Sequence, residues 1–299
     1  MKDAGKLTVK LLVSGVAVAF VLRNIDFGQM WARMRSADPV FLAAALAVYA
    51  LSQVISARRL GCMFAAVGLT FPALSNLKLY WLGMFYNFFL PGGIGGDGYK
   101  VYYLKKYSEL RVRDLVMAIL GDRMSGLVAI AIYLLFFSSF CVEQLPIPMR
   151  QWLFALAPLA VGAYYLFLRI FCRRLTAACA RVTLLSMLIQ GMQMLAAGLV
   201  LCSLGSMSLS ATIDYLFLFL LGSIASAVPI TLGGIGAREL TFVVGSEWIG
   251  TSGDTAVALS LLFYATSLIS ALPGIYYAIR PSHIARPAVD ILTDDAQTD

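Results

Sequence analysis

Apolar residues run along this chain in long, nearly unbroken blocks instead of recurring on one face of a helix. A helix that is apolar all round is surrounded by hydrocarbon or by protein, and crossing about 30 Å of hydrocarbon takes about 20 residues. Six blocks approach or meet that length: 7–22, 39–57, 114–137, 151–168, 181–203 and 255–279. The first is the shortest and carries Lys10, which can snorkel to the interface. Ala17-Val18-Ala19 in that block has the small-residue pattern of a signal-peptidase site. Because Phe20, Val21 and Leu22 continue the run past it, the block reads as a retained span.

Two more apolar stretches are broken. Residues 75–90 run into Pro91-Gly92-Gly93-Ile94-Gly95-Gly96-Asp97, and residues 212–228 run into Pro229-Ile230-Thr231-Leu232-Gly233-Gly234-Ile235-Gly236. Proline lacks a backbone donor and glycine tolerates left-handed backbone, so a helix stops at both places. Each pattern resumes as a short helical stretch, at 99–107 and 238–249, and each is expected to form a re-entrant helical hairpin. The fold class predicted is therefore all-α: a polytopic membrane protein of six full transmembrane helices plus two re-entrant hairpins. Residues 1–285 form a single transmembrane domain. The stretch 286–299, with Asp290, Asp294, Asp295 and Asp299, is expected to be a disordered cytoplasmic tail.

Composition strengthens the membrane reading: 60% of residues are apolar, 13% are charged and the mean hydropathy is +0.83. The net charge of +7 reflects orientation, not nucleic acid, since the basic residues are scattered at helix ends without interleaved stacking aromatics. With the N-terminus inside, six crossings and both hairpins returning to their own side, Arg23, Arg33, Arg35 and Arg150 fall outside. Arg123 and Arg238 lie in the membrane, and the other 17 of the 23 basic residues lie inside, as the positive-inside rule requires. Both termini are then cytoplasmic. The two halves, about 1–140 and 150–280, have the same order of elements but opposite starting sides, which is an inverted-topology repeat. Gly92-Gly93-Ile94-Gly95 and Gly233-Gly234-Ile235-Gly236 repeat the same tetrapeptide at matching positions. Paired, interrupted segments of this kind point to the binding site of a transporter.

Chemistry is narrowly bounded. The five cysteines form no C-x-x-C pair, and His283 is the sole histidine, so no metal or cofactor is expected. The candidate substrate-binding residues cluster at the two breaks and in one span. At the first break they are Asn87, Gly92, Gly93, Gly95, Gly96, Asp97 and Lys100, with Asp122 and Arg123 deep in the block 114–137; at the second they are Gly233, Gly234, Gly236, Arg238 and Glu239. A membrane-embedded carboxylate needs a cation, and Lys100 or Arg123 could serve Asp97, or Asp97 could cap the next helix. Asn87 could bond carbonyls freed by the break. Free N–H groups and basic side chains at the hairpin tips suit an anionic head group, while a purely structural ion-pair network remains the alternative for Asp122, Arg123, Arg238 and Glu239. Arg58-Arg59 reads as a topological anchor. The aromatics Tyr80, Trp81, Phe85, Tyr86, Phe88, Phe89, Tyr99, Tyr102 and Tyr103 read as interfacial belt and core.

Three strings carry a resemblance: Asn87 through Lys100, Asp122-Arg123-Met124-Ser125-Gly126-Leu127, and Gly233 through Glu239. Together they resemble the lysylphosphatidylglycerol synthase transmembrane-region family, also called flippase-like. The resemblance implies a bacterial or archaeal inner-membrane protein. In two-part members, the part similar to this chain translocates aminoacylated phosphatidylglycerol that a separate cytoplasmic domain makes. No such synthase domain is read here, so lipid aminoacylation is not expected, and an enzyme is the less favoured reading. Lys100 stands where the family commonly has arginine, which keeps the charge but loses the bidentate phosphate fork. The expected partners are membrane lipids with an anionic head group. A second copy of the chain and a lipid- or glycan-synthesis enzyme stay open. The alternatives to a carrier are a membrane-embedded transferase using Asp26 or Asp38 as base, and a non-transporting assembly partner.

Overall fold

The computed structural model describes residues 27–89, 95–138, 150–205, 207–227, 237–280, 284–285 and 287–289. The expected block 7–22, Gly92 and Gly93 at the first break, and Gly233, Gly234 and Gly236 at the second lie outside the described residues.

The described chain is helical almost throughout. Helix α1 (Phe27–Arg35) leads to α2 (Pro39–Ala66), α3 (Ala73–Phe89), α4 (Gly95–Tyr107) and α5 (Val112–Ser138). After a 3-10 turn (Arg150–Leu156) come α6 (Ala157–Phe171), a second 3-10 turn (Arg173–Ala178) and α7 (Cys179–Ser203). The chain continues through α8 (Leu209–Ala227), α9 (Ala237–Ile249), α10 (Gly253–Ala271) and α11 (Pro273–Ile279). Boundaries follow local chemistry. Asp38 caps α2 by accepting from the Val40 N–H at 2.8 Å, with Pro39 at the first helical position. Past its other end, Gly68 takes a φ of 83°, the left-handed conformation that glycine reaches without a side-chain penalty.

Six described stretches are long and apolar enough to cross a membrane: Pro39–Ala66, Val112–Ser138, Leu153–Phe171, Arg173–Ser203, Leu209–Ala227 and Gly253–Ile279. Five coincide with expected blocks. The sixth, Leu209–Ala227, is longer than expected for the arm of a hairpin with residues 238–249. Its helix starts three residues earlier, where the Ser208 hydroxyl accepts from the Ala211 N–H at 3.3 Å, and its 19 residues reach about 28 Å at 1.5 Å per residue. The chain is a multi-pass membrane protein. Consistent with a hydrocarbon solvent, Leu159, Leu166, Ile170, Leu184, Leu188 and Leu195 point outward.

At the centre, α2 and α7 pack along their lengths. They run antiparallel: the Asp38 N–H donates to the Ser203 carbonyl at 2.9 Å, while Arg59 reaches Ser186 further along. Their packing partners correspond. Helix α2 packs on α3 and α5, and α7 on α8 and α10; α3 pairs with α4 and α8 with α9; α4 lies on α5 and α9 on α10. Two hydrophobic cores result, and α2 and α7 contribute to both. One gathers Leu79, Leu82, Leu104, Leu115 and Leu168, the other Leu218, Phe219, Phe242, Leu259 and Phe263.

The segment after α11 departs from the expectation of a tail disordered from residue 286. Ala288–Val289 pairs antiparallel with Leu69–Thr70, as β2 with β1. Just before it, the Tyr103 hydroxyl donates to the Ile284 carbonyl at 3.0 Å. These contacts hold the chain against the α2–α3 connection; residues 290–299 lie outside the described residues.

Candidate substrate site

The first half-site is the hairpin of α3 and α4. Its arms meet at glycines: a methyl group at Gly96 would lie 1.8 Å from the Gly83 carbonyl oxygen, and one at Gly83 would lie 2.3 Å from Lys100 Cε. Small residues let helices in a membrane approach this closely. The bare surface of Gly83 is what lets the Lys100 stem lie across α3. Asn87 faces the start of α4, where its Oδ1 accepts from the Gly96 N–H at 2.9 Å. It thus satisfies a donor at a helix start, the reverse of the expected role of bonding freed carbonyls.

Asp97, in the first turn of α4, joins two cations. Lys100 Nζ lies 3.1 Å from its Oδ1, and Arg123 Nε contacts its Oδ2. The trio carries one net positive charge. The Lys100 side chain is 6% exposed and that of Arg123 37%, so the accessible part of this charge is the arginine's. Lys100 also lies 4.8 Å from the ring centroid of Tyr80, whose hydroxyl donates to Gln53 Oε1 at 3.4 Å. A ring contact joins the arms further, with Tyr86 against Tyr99 at 4.8 Å. Gly95 opens α4 beside them.

The second half-site is the pair α8 and α9. Gly222 faces the Phe242 ring and Arg238 Cγ, and Gly245 faces Leu218, so this pair also closes over glycines. Arg238, in the first turn of α9, holds its guanidinium among three rings, 5.1 Å from Phe263, 5.6 Å from Phe219 and 5.8 Å from Phe242. Its Nε and Nη2 are buried and meet no hydrogen-bond acceptor among the described residues. Ring faces supply cation–π attraction but accept no strong hydrogen bond, so these N–H groups bear an uncompensated desolvation cost. Glu239 turns to α10, where its Oε1 accepts from the Ser260 hydroxyl at 2.9 Å. The half-sites approach through α2 and α10, with Tyr49 packed on Phe263 and Phe88 on Tyr264.

Asp122 and Arg123 point in different directions on α5. Asp122 forms a two-pronged pair with Arg59, Nε to Oδ1 at 2.8 Å and Nη2 to Oδ2 at 2.9 Å. Arg59 Nη1 donates to the Ser186 hydroxyl at 2.9 Å, and Ser186 bonds the Ser125 hydroxyl at 2.9 Å. The network ties α2, α5 and α7 together and is buried. Arg59 is therefore more than the surface anchor its sequence position suggested. Its neighbour Arg58 is exposed, as an anchor would be.

Residues 7–274 match the family model described as lysylphosphatidylglycerol synthase TM region. No curated protein matches the chain.

Proposed function

The chain belongs to the lysylphosphatidylglycerol synthase TM-region family, and from that premise we propose that it is a carrier moving an anionic lipid head group across the bilayer by alternating access. The observation that carries this reading is the buried Arg238 guanidinium, two of whose N–H groups lack an acceptor among the described residues. A phosphate or carboxylate would complete it, at the first turn of a helix where the dipole also favours an anion. The Asp97, Lys100 and Arg123 trio supplies a second positive locus.

Alternating access needs two halves that exchange roles about a central site. The antiparallel α2–α7 contact and the matched packing of α3, α4, α5 against α8, α9, α10 support an inverted repeat. So does a constant sequence shift: Gly92 and Gly233 lie 141 residues apart, as do Val112 and Gly253. On this reading the glycine-rich loops dip from opposite faces as re-entrant tips, the protein sits in a cell inner membrane, and both termini are cytoplasmic. A transferase using Asp38 is less favoured, since that carboxylate is engaged as the α2 N-cap. In proteoliposomes carrying a fluorescent short-chain anionic lipid, the purified protein should accelerate its exchange between leaflets, and Arg238→Ala should abolish that. An unchanged leaflet distribution across several anionic head groups would refute transport.

A further inference from the structure

A cavity of about 1040 Å³ opens on the flank of the molecule, along the first turns of α3 and away from its Asn87 end. Its walls come from three elements. One stripe of α2 supplies Val54, Arg58, Cys62 and Ala65, the facing stripe of α7 supplies Arg181 and Leu185, and Phe71, Leu74 and Leu77 close the third side. The spacings of three and four residues put each stripe on one helical face. Arg58 and Arg181 are both exposed, and among the described residues no carboxylate lines the cavity. In this it differs from a second cavity, whose Arg111, Arg113, Arg173 and Arg174 share the walls with Glu109 and Asp114.

The floor is built with care. Asn76 is 3% exposed and donates to the Ala57 carbonyl at 2.5 Å, within the helix that also carries Arg58. Its Oδ1 is buried and has no hydrogen-bond partner among the described residues. An apolar trough whose two wall guanidiniums meet no carboxylate among the described residues suits a molecule with a hydrocarbon chain and an acidic head. The volume matches the upper end of ligand cavities, about 300–1,000 Å³. We propose that this groove is a binding site for an anionic glycerophospholipid of the surrounding bilayer, phosphate on Arg58 and Arg181 and acyl chain along Val54, Cys62, Ala65 and Leu74. The site is separate from the hairpin half-sites, and it stands whether or not the protein is a carrier. Its occupant fills the space between α2, α3 and α7, the helices that frame the central contact.

Native mass spectrometry of the full-length protein, titrated in detergent with phosphatidylglycerol or with phosphatidylcholine of the same chains, tests this. Phosphatidylglycerol should bind at least about tenfold more tightly. Arg58→Gln with Arg181→Gln should remove that preference, about the effect of two basic contacts to an anionic lipid, while phosphatidylcholine binding stays unchanged. Because both arginines are exposed, the double variant should keep its fold. Should it not, the wild-type protein decides through Cys62, a free thiol on the groove wall. Phosphatidylglycerol should slow alkylation of Cys62 at least about tenfold more than phosphatidylcholine does, and Ala65→Trp should abolish the protection by filling the trough. Equal protection by the two lipids, equal affinity of wild type and double variant, or protection by glycerol phosphate as complete as by the lipid, would each overturn the proposal.

Discussion

Replacing Asp122 by asparagine perturbs the buried network most cleanly, because the side chain keeps its shape and loses only its charge and one acceptor. The amide would set a donor against Arg59 Nε or Nη2, which now lie 2.8 and 2.9 Å from the two carboxylate oxygens. Interhelical hydrogen bonds in membranes average about 0.6 kcal/mol and reach about 1.7, so two such bonds set a floor of roughly 1 kcal/mol. Stranding a buried charge by removing its partner costs about 3–5 kcal/mol. The arginine retains Ser186, and the expected loss falls between these limits, at about 3 kcal/mol. At about 2–4 °C per kcal/mol for chains somewhat shorter than this one, Asp122→Asn should lower the detergent melting temperature by about 6–12 °C. That shift can be read by size-exclusion chromatography after heating. Arg59→Met with Asp122→Leu removes both charges and keeps the volume. It should recover most of the loss, since Ser186 still donates to the Val182 carbonyl and Ser125 to the Asp122 carbonyl. The double-mutant cycle should then give a coupling of at least about 2 kcal/mol. If Asp122→Asn melts within about 2 °C of wild type, or the double variant melts as low as the worse single one, the network does not clamp the three helices. If the double variant is stable but transports nothing, Asp122 touches substrate and the structural reading of this residue is wrong.

The remaining predictions follow from the hairpins. Gly96→Ala places a methyl 1.8 Å from backbone and should prevent a monodisperse fold, whereas Gly98→Ala, with nothing within 4 Å, should leave the melting temperature equal or higher. Asp97→Asn leaves Lys100 and Arg123 facing each other without compensation; leaflet exchange should fall at least about tenfold, and adding Arg123→Gln should recover stability without recovering exchange. At Arg238, lysine should rescue little of the activity lost in the alanine variant, since an ammonium offers no planar fork between the three rings. Cysteines placed at residues 92–97 and 233–238 should be labelled from opposite faces of the membrane; labelling of both sets from one face would end the inverted-repeat reading.

What the sequence made legible tracks how local its physical cause is. Apolar length alone located five spans, and Pro91 with its glycines marked where α3 must stop before α4 begins. The near approach of Lys100 and Asp97 was readable because i and i+3 share a helix face. Arg59 was misread because its cause is remote: its partner lies 63 residues away and its hydroxyl contact 127 away. Next to Arg58 at the end of an apolar run, it had every local mark of an anchor. The start of Leu209–Ala227 was placed three residues late because Ser208 and Ser210, polar residues ahead of an apolar run, start the helix instead of preceding it. The pairing of β2 with β1 rests on register across more than 200 residues, which no short window contains.

The 141-residue shift that aligns the two glycine tetrapeptides also aligns Asp97 with Arg238, Lys100 with Thr241 and Arg123 with Tyr264. On the inverted-repeat reading, scaffold positions are duplicated while their charges are not. In the first hairpin a carboxylate is held between two cations. In the second an arginine stands where that carboxylate would be, and the position matching Arg123 carries a tyrosine that packs on Phe88 of the first hairpin. On that reading, a duplication with no ligand to serve would have no reason to keep a buried guanidinium whose Nε and Nη2 meet no acceptor among the described residues, because an apolar residue in the same cage of Phe219, Phe242 and Phe263 would cost less. The asymmetry is therefore the feature that demands a function. The first pair brings its own counter-charge, whereas in the second Arg238 Nε and Nη2 meet no acceptor among the described residues, and on the proposed reading an anion supplies it. Binding energy at Arg238 is then available to favour the conformation in which the anion is enclosed, which is the condition a carrier must meet.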